Sequence, residues 1–392
     1  MATQVPAEYE PTLKASDDRS PHESMTDDAS RSTSTHEHSV EGKSGGSGSP
    51  PPPGGESADP EDPEKVGVQI AAQLDEAGYH PVVILGTSNS GKSSLLGSLL
   101  AYFRQDAELE IGIYFGDPVL SPTTGYGEYV RKSAEEFFYR SIQEFMDGGG
   151  HQPTQARHPF FIPVIIRPKG RPEMRFAFLE SNGEWYQPER NKGPFFRQLK
   201  SEVEGVLRHY QKGISVIYVA PFTQLNVRDG KTSSKVDATE VAEAGLALVG
   251  AMNAYESLRT AKGLDSHLLL VTKWDAYKKD GLDLKEVLTN TRSDVELFVN
   301  DKYSQTFAAF KGLSLAPTQR TLMQYCAALM SGRSIVRASD ELRPVLYRYR
   351  RKLWNWLYKN ASGYAVELIH EPPPPRMTLL ERLHAMIGAI LS

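Results

Sequence analysis

The sequence predicts an α/β protein built on a mostly parallel sheet with helices on both faces. Apolar runs of strand length alternate with longer segments of helical spacing between residues 66 and 360, which is the pattern of strands joined by crossover helices. Two neighbouring runs, 160–167 and 174–180, are separated by a turn that contains proline and glycine. They predict a hairpin, and therefore one antiparallel edge strand in the sheet.

The predicted elements follow one another in a regular order, strands being assigned from short apolar runs and helices from apolar residues three and four apart. Strands are predicted at 81–85, 111–115, 160–167, 174–180, 214–220, 268–272 and 322–328. Helices are predicted at 68–77, 90–102, 126–146, 194–210, 239–260, 284–299, 341–359 and 379–391.

The first 65 residues differ from the rest in composition. They are rich in Ser, Pro and Gly and carry 14 acidic and 5 basic side chains, a net charge of −9 against −5 for the whole chain. Such a segment buries too little apolar surface to offset the entropy lost on ordering, so we expect it to be disordered. We therefore divide the chain into an acidic tail (1–65), an enlarged α/β domain (66–360) and a C-terminal amphipathic helix behind a proline hinge (361–392).

Three absences in the sequence narrow the class of protein. Cys326 is the single cysteine, so no intramolecular disulfide is possible. No window approaches 18 uninterrupted apolar residues, and no apolar segment resembling a signal peptide follows Met1. We expect a cytoplasmic protein, with peripheral contact at a membrane surface through the C-terminal helices as an alternative.

A glycine-rich segment, GTSNSGKS, starts at Gly86 directly after the first predicted strand and fits the pattern G-x-x-x-x-G-K-[ST]. Gly86 and Gly91 permit backbone conformations that allow the loop N–H groups to surround phosphates, and the following helix adds the positive end of its dipole. Lys92 is expected to reach the β- and γ-phosphates, and the Ser93 hydroxyl to bind Mg²⁺. The predicted phosphate-binding residues are Gly86, Asn89, Ser90, Gly91, Lys92, Ser93, Ser94 and Gly183.

A second motif, TKWD, ends the apolar strand at Thr272. The Asp275 carboxylate can accept hydrogen bonds from guanine N1–H and the exocyclic amine, a pair of donors that adenine lacks. Lys273 is expected to lie along the base and brace the phosphate loop, and backbone N–H groups of Ala327 and Ala328 to support the guanine. The alternative is a solvated loop in which Asp275 caps a turn.

A third motif, ESNGE, begins at Glu180. Glu180 is predicted to be an outer-shell partner of Mg²⁺, or alternatively an ordinary exposed strand-end carboxylate. Gly183 is expected to donate its N–H to the γ-phosphate, and Glu184 is the candidate catalytic base. A hydroxyl from Thr124 or Thr123 is expected to reach the metal. The predicted catalytic residues are Lys92 and Glu184, and the predicted metal-binding residues are Ser93, Thr124 and Glu180.

On these three motifs the chain resembles the translation-factor-related P-loop GTPases, which have a small-GTPase-like G-domain, and among them the divergent bacterial forms that include the double-GTPase type. The resemblance covers residues 80–360, with enlargements at 106–157, 226–240 and 300–320. It implies a Mg²⁺-dependent switch between GTP and GDP. Glu180 stands where the pattern has Asp, and Glu184 where many members have Gln or His, so we expect hydrolysis to be slow or partner-assisted.

Two alternatives to a GTPase switch remain open. One is a pseudo-GTPase that binds nucleotide for structure and acts as an interaction scaffold through its tail and terminal helix. The other is a P-loop ATPase. An effector or activating protein is the expected partner, and nucleic acid is not expected, since the basic and aromatic residues of helix 341–359 match no recognised nucleic-acid motif.

Overall fold

The computed structural model describes residues 63–102, 109–112, 132–140, 143, 159–168, 170–180, 199–222, 238–277, 283–289, 292–331, 334–336 and 338–363. Residues 1–62 of the predicted disordered tail, the helix at 379–391, the switch threonine and the pair Gly183 and Glu184 lie outside these residues. Residues 63–65, which were assigned to the tail, begin the helix Pro63–Glu76. The domain bounds therefore stay predictions.

The described elements reproduce the predicted alternation of strands and helices. The strands are β1 (Tyr79–Leu85), β2 (Leu109–Gly112), β3 (Phe160–Pro168), β4 (Met174–Glu180), β5 (Ser215–Pro221), β6 (Ser266–Thr272), β7 (Arg320–Gln324), β8 (Leu329–Ser331) and β9 (Ser334–Val336). The helices are α1 (Pro63–Glu76), α2 (Lys92–Tyr102), α3 (132–140), α4 (Ser201–His209), α5 (Ala238–Leu258), α6 (Leu284–Thr289), α7 (Arg292–Lys302), α8 (Ser304–Gly312) and α9 (Arg343–Ser362).

Seven of the strands form one sheet in the order β2-β3-β4-β1-β5-β6-β7. The run from β4 to β7 is parallel, and β3 is antiparallel to β4. This arrangement confirms the predicted G-domain fold class, with the P-loop between the central strand β1 and α2. The short strand β2 pairs antiparallel with β3 on its outer side, so that the sheet extends one strand beyond the predicted hairpin.

Helices cover both faces of the sheet. Trp354 of α9 packs edge-on against Phe178 of β4 on one face. The strand register places His267 on the opposite face, where it packs against Tyr255 of α5. The basic and aromatic helix α9 therefore buries its apolar side on the domain, with Leu353 and Trp354 fully buried. None of the helices in the described ranges is long and apolar enough to cross a membrane.

Three element predictions differ from the structure. The last sheet strand runs from Arg320 to Gln324 and not from 322 to 328, because its partner β6 ends at Thr272 and the chain then turns. The segment predicted as one helix, 284–299, corresponds to α6 and α7. The small β8–β9 hairpin was not predicted, since a three-residue strand shows no periodicity that a sequence pattern can detect. Helix α8 lies in the segment 300–320, which the sequence analysis takes as an enlargement of the domain.

Helix α1 precedes β1 and packs against α4 at a close backbone crossing. A Cβ atom added at Gly205 would lie 2.2 Å from the Gly67 Cα atom, well inside van der Waals contact. Buried apolar residues of the two helices line the crossing, among them Leu74 and Val206. At one end of the crossing, Lys212, which follows α4, forms an ion pair with Asp75 of α1 at 2.7 Å.

We expect Gly205→Ala to lower the free energy of unfolding by roughly 2 kcal/mol, because the added methyl group forces the two helices apart. Gly312→Ala is the matched control, since a Cβ atom there meets nothing within 4 Å. Urea unfolding followed by circular dichroism measures both variants. Equal stability of Gly205→Ala and the wild type would contradict the close crossing of α1 and α4.

Candidate nucleotide-binding site

The predicted site residues that the structure describes gather at one edge of the sheet. The carboxyl ends of the parallel strands β1, β4, β5, β6 and β7 all point to this edge, which is where α/β sheets of this kind bind ligands. Leu85, Glu180, Thr272 and Gln324 are the last residues of four of these strands. The three motifs are separated along the chain and meet here because the strands are parallel.

The phosphate loop between β1 and α2 has the backbone conformation that its glycines permit. Gly91 has a φ of 91°, and Asn89 lies in the left-handed region with a φ of 59°, which asparagine tolerates better than most side chains. Gly86 lies against β5, where an added Cβ atom would be 3.0 Å from the Val219 carbonyl oxygen. The loop therefore follows the backbone of the neighbouring strand at a distance that only glycine allows.

Lys92 lies under the phosphate loop and not in solvent. Its Nζ atom donates hydrogen bonds to the carbonyl oxygens of Gly86 at 2.8 Å and Thr87 at 2.9 Å. Burial lowers the pKa of Lys92 to about 8, and the nearby Glu180 carboxylate opposes this shift. The ammonium group is thus held inside the loop that is expected to surround the phosphates.

Glu180 and Ser93 form the predicted metal-binding pair. The Ser93 hydroxyl donates a hydrogen bond of 2.7 Å to the Glu180 Oε1 atom, and Glu180 is only 1% exposed. This burial rules out the alternative in which Glu180 is an exposed strand-end carboxylate. A hydroxyl and a carboxylate oxygen at this separation are hard ligands of the type that Mg²⁺ prefers.

The described residues contain no cluster of three or more His, Cys, Asp or Glu side chains that could hold a metal ion by itself. A Mg²⁺ ion at Ser93 and Glu180 would need further oxygen ligands, which the predicted Thr124 hydroxyl, phosphate oxygens and water could supply.

Thr272 connects the TKWD motif to the phosphate loop. Its Oγ1 atom donates a hydrogen bond of 2.6 Å to the Ser90 carbonyl oxygen. The next residue, Lys273, has a φ of 58° and begins the short 3₁₀ helix Trp274–Ala276. The TKWD motif thus reaches the phosphate loop through Thr272, and the bracing role of Lys273 stays a prediction.

The short helix that carries Asp275 is anchored by its tryptophan. Trp274 is fully buried, donates from Nε1 to the Val287 carbonyl oxygen at 3.2 Å, and stacks on Tyr277 at a centroid distance of 4.5 Å. Its backbone N–H donates to the Tyr325 carbonyl oxygen at 3.2 Å, which ties the motif to the segment after β7. Asp275 is therefore held by rigid neighbours, and at 8% exposure it is not part of a solvated loop.

Cys326 is a site residue that sequence reasoning missed. Its thiol donates a hydrogen bond of 3.3 Å to the Ala328 carbonyl oxygen, and burial, followed by the charge of the nearby Asp275 carboxylate, raises the thiol pKa well above its usual value. The thiol therefore stays protonated and holds the segment that is predicted to support the base. The signal available in the sequence was the position of Cys326 directly before Ala327 and Ala328, the residues predicted to support the base.

The remaining predicted residues fall into two groups. Ser94 follows Ser93 on α2, and Ala327 and Ala328 follow Cys326 in the segment between β7 and β8. Thr124, Gly183 and Glu184 lie outside the described residues, so the structure gives them no position.

Comparisons with known proteins give distant structural likenesses only. No protein-family model matches the chain, and no curated protein matches it. Among solved structures, a dimerization-deficient mutant of Toc33 from Arabidopsis thaliana is 12% identical with a TM-score of 0.35, over 78% of this chain and 94% of that one. The Ski7 GTPase-like domain of S. cerevisiae, bound to GDP and inorganic phosphate, is 12% identical with a TM-score of 0.29, over 82% of this chain and 52% of that one.

A member of an oligomerised bacterial dynamin pair is 16% identical with a TM-score of 0.26, over 84% of this chain and 55% of that one. This chain thus spans about half the length of the Ski7 and dynamin chains. TM-scores of this size assign neither a ligand nor an activity, and the fold class stands on the strand order and the position of the P-loop.

Proposed function

We propose that this protein binds GTP and GDP with Mg²⁺ and acts as a nucleotide switch whose GTP hydrolysis is slow or partner-assisted. The observation that carries the proposal is the hydrogen bond of 2.6 Å from Thr272 to the Ser90 carbonyl oxygen. It joins the base-reading motif to the phosphate loop, so that both ends of one nucleotide can be held at the same edge of the sheet.

Selection of guanine is proposed to come from Asp275. The carboxylate is almost completely buried, so its negative charge needs hydrogen-bond donors in place of water. Guanine N1–H and the exocyclic amine supply two such donors, whereas adenine would leave the carboxylate unsatisfied. The contacts of Trp274 hold the short helix that carries Asp275 in place, and the match to the two guanine donors favours GTP over the ATPase alternative.

Binding of the triphosphate is proposed to use the loop, Lys92 and the metal pair. Lys92 has its charged group inside the loop, within hydrogen-bond distance of two loop carbonyls. When phosphates bind, its ammonium group can exchange these carbonyls for phosphate oxygens. Ser93 and Glu180 would hold Mg²⁺, directly or through water, and the ion would supply positive charge against the triphosphate.

The switch and the hydrolysis step are proposed on sequence grounds. Gly183 and Thr124 would contact the γ-phosphate and Mg²⁺, and would be released when the phosphate leaves. Glu184 would act as the base for the attacking water. If Glu184 instead repels the triphosphate, the protein binds nucleotide without turnover and the scaffold alternative applies.

Titration of the purified full chain with fluorescent analogues of GTP, GDP and ATP, with and without Mg²⁺, tests the proposal. We expect the guanine nucleotides to bind at least about 100-fold more tightly than ATP, and Mg²⁺ to strengthen the binding of GTP. Equal affinity for ATP would reject the role of Asp275. No binding of any nucleotide would reject the proposed function as a whole.

A further inference from the structure

Arg350, in the middle of α9, reaches the segment that is predicted to support the guanine base. Its Nη2 atom donates a hydrogen bond of 3.0 Å to the Ala327 carbonyl oxygen. The side chain is 8% exposed, which is unusual for an arginine, because burying a charge is costly unless it is well partnered. No sequence pattern connects these two residues, which lie 23 positions apart.

The guanidinium group is fixed by more than this one contact. The Arg350 Cζ atom also lies 5.2 Å from the centroid of the Tyr347 ring, a cation–π distance. Tyr325, two residues before Ala327, has its hydroxyl 2.7 Å from the Ser98 Oγ atom of α2. Arg350 therefore links α9 to the segment after β7, and Tyr325 links the same segment to the helix that follows the phosphate loop.

The contact to a carbonyl oxygen has a direct consequence for the neighbouring N–H group. The peptide unit between Ala327 and Ala328 is planar and trans, because the described residues contain no cis peptide bond. Its C=O and N–H groups then point in opposite directions. When Arg350 holds the carbonyl on the α9 side, the N–H of Ala328 is directed away from α9.

We infer that Arg350 is a positioning residue for guanine recognition, which holds the Ala327–Ala328 peptide so that its N–H donates to the guanine O6 atom. This inference rests on the proposed function. Without Arg350 the peptide is free to turn, and a turned peptide presents its carbonyl oxygen to O6, where two acceptors repel each other. The helix α9 thus takes part in base recognition without touching the nucleotide.

Binding of GDP and of 6-thio-GDP to the full chain tests the role of Arg350. The thio analogue keeps N1–H and the exocyclic amine for Asp275 but carries a weaker acceptor in place of O6. We expect Arg350→Met to raise the Kd for GDP about tenfold, and the Kd for 6-thio-GDP by about threefold or less. Arg350→Lys keeps the charge and one donor, and should recover part of the GDP affinity.

Arg351→Met is the matched control, because it removes the same charge from the next position of α9. The Nε atoms of both arginines have no hydrogen-bond partner among the described residues, so the bond from the Arg350 Nη2 atom to the Ala327 carbonyl oxygen is what distinguishes Arg350. We expect the affinities of Arg351→Met for both nucleotides to equal those of the wild type. If Arg350→Met lost affinity for GDP and for 6-thio-GDP by the same factor, the inference would be overturned, because Arg350 would then support the fold in general. Unchanged affinity for both nucleotides would overturn it as well.

Amide hydrogen exchange in the nucleotide-free protein separates this inference from the proposed function. Faster exchange at Ala328 in Arg350→Met than in Arg351→Met would show that Arg350 positions the peptide, and equal exchange would contradict it. A wild type that binds no guanine nucleotide would reject the proposed function, whatever the exchange result.

Discussion

Replacing Lys92 by alanine is expected to lower the affinity for GTP by at least about 100-fold, a loss of roughly 3 kcal/mol in binding free energy. The buried ammonium group is placed inside the phosphate loop by its bonds to Gly86 and Thr87. Its loss removes the positive charge that a triphosphate needs and the two bonds that hold the loop closed. Titration with a fluorescent GTP analogue measures the effect.

Two further variants test whether the loss of GTP affinity comes from the charge of Lys92. Lys92→Met keeps much of the length of the side chain without its charge, and should lose as much affinity as the alanine variant if the charge is what matters. Lys285→Ala removes an exposed lysine of α6 and should bind GTP as the wild type does. Unchanged GTP affinity in both Lys92 variants would mean that the loop does not hold phosphates.

Replacing Asp275 by asparagine is expected to shift the nucleotide preference of the protein from GTP to xanthosine triphosphate (XTP). The amide accepts at one atom and donates at the other, so it no longer matches the two donors of guanine, and its donor matches the second carbonyl of xanthine. We expect the affinity for GTP to fall about 100-fold and XTP to become the tighter ligand. Competition of each nucleotide against a fluorescent GDP analogue gives both affinities.

Asp301→Asn serves as the control for Asp275, because Asp301 is an exposed carboxylate on α7 that pairs with the neighbouring Lys302. The Asp301→Asn variant should still bind GTP more tightly than XTP. A loss of GTP affinity in Asp275→Asn without any gain for XTP would indicate that the substitution disturbs the surrounding fold and that Asp275 does not read the base.

The phosphate loop is a contiguous motif, and its position in the fold could be predicted from the sequence. All its residues lie within eight positions, and the strand before it and the helix after it follow from local periodicity. The sequence therefore predicted both the conformation-permitting glycines and the place of the loop between β1 and α2. The same reasoning failed for β8 and β9, because their strands are too short for a pattern to form.

Contacts between the motifs could not be predicted in this way. The bond from Ser93 to Glu180 joins the ends of two different elements, and the bond from Thr272 to Ser90 joins residues 182 positions apart. Each depends on strand order and register, which determine which strand ends are neighbours. The structure places the carboxylate of Glu180, the residue that departs from the Asp of the pattern, against the Ser93 hydroxyl.

By itself the sequence determined the fold class, the position of the phosphate loop and the chemical types of the groups that the site requires. These are local properties, set by periodicity, glycine conformations and the side chains of short motifs. Only the tertiary structure decided that the Trp274 N–H bonds the Tyr325 carbonyl oxygen and that Arg350 holds the Ala327 carbonyl. The physical reason is that these contacts come from the packing of the segments after β6 and β7 and of helix α9, and no linear pattern encodes the distances between them.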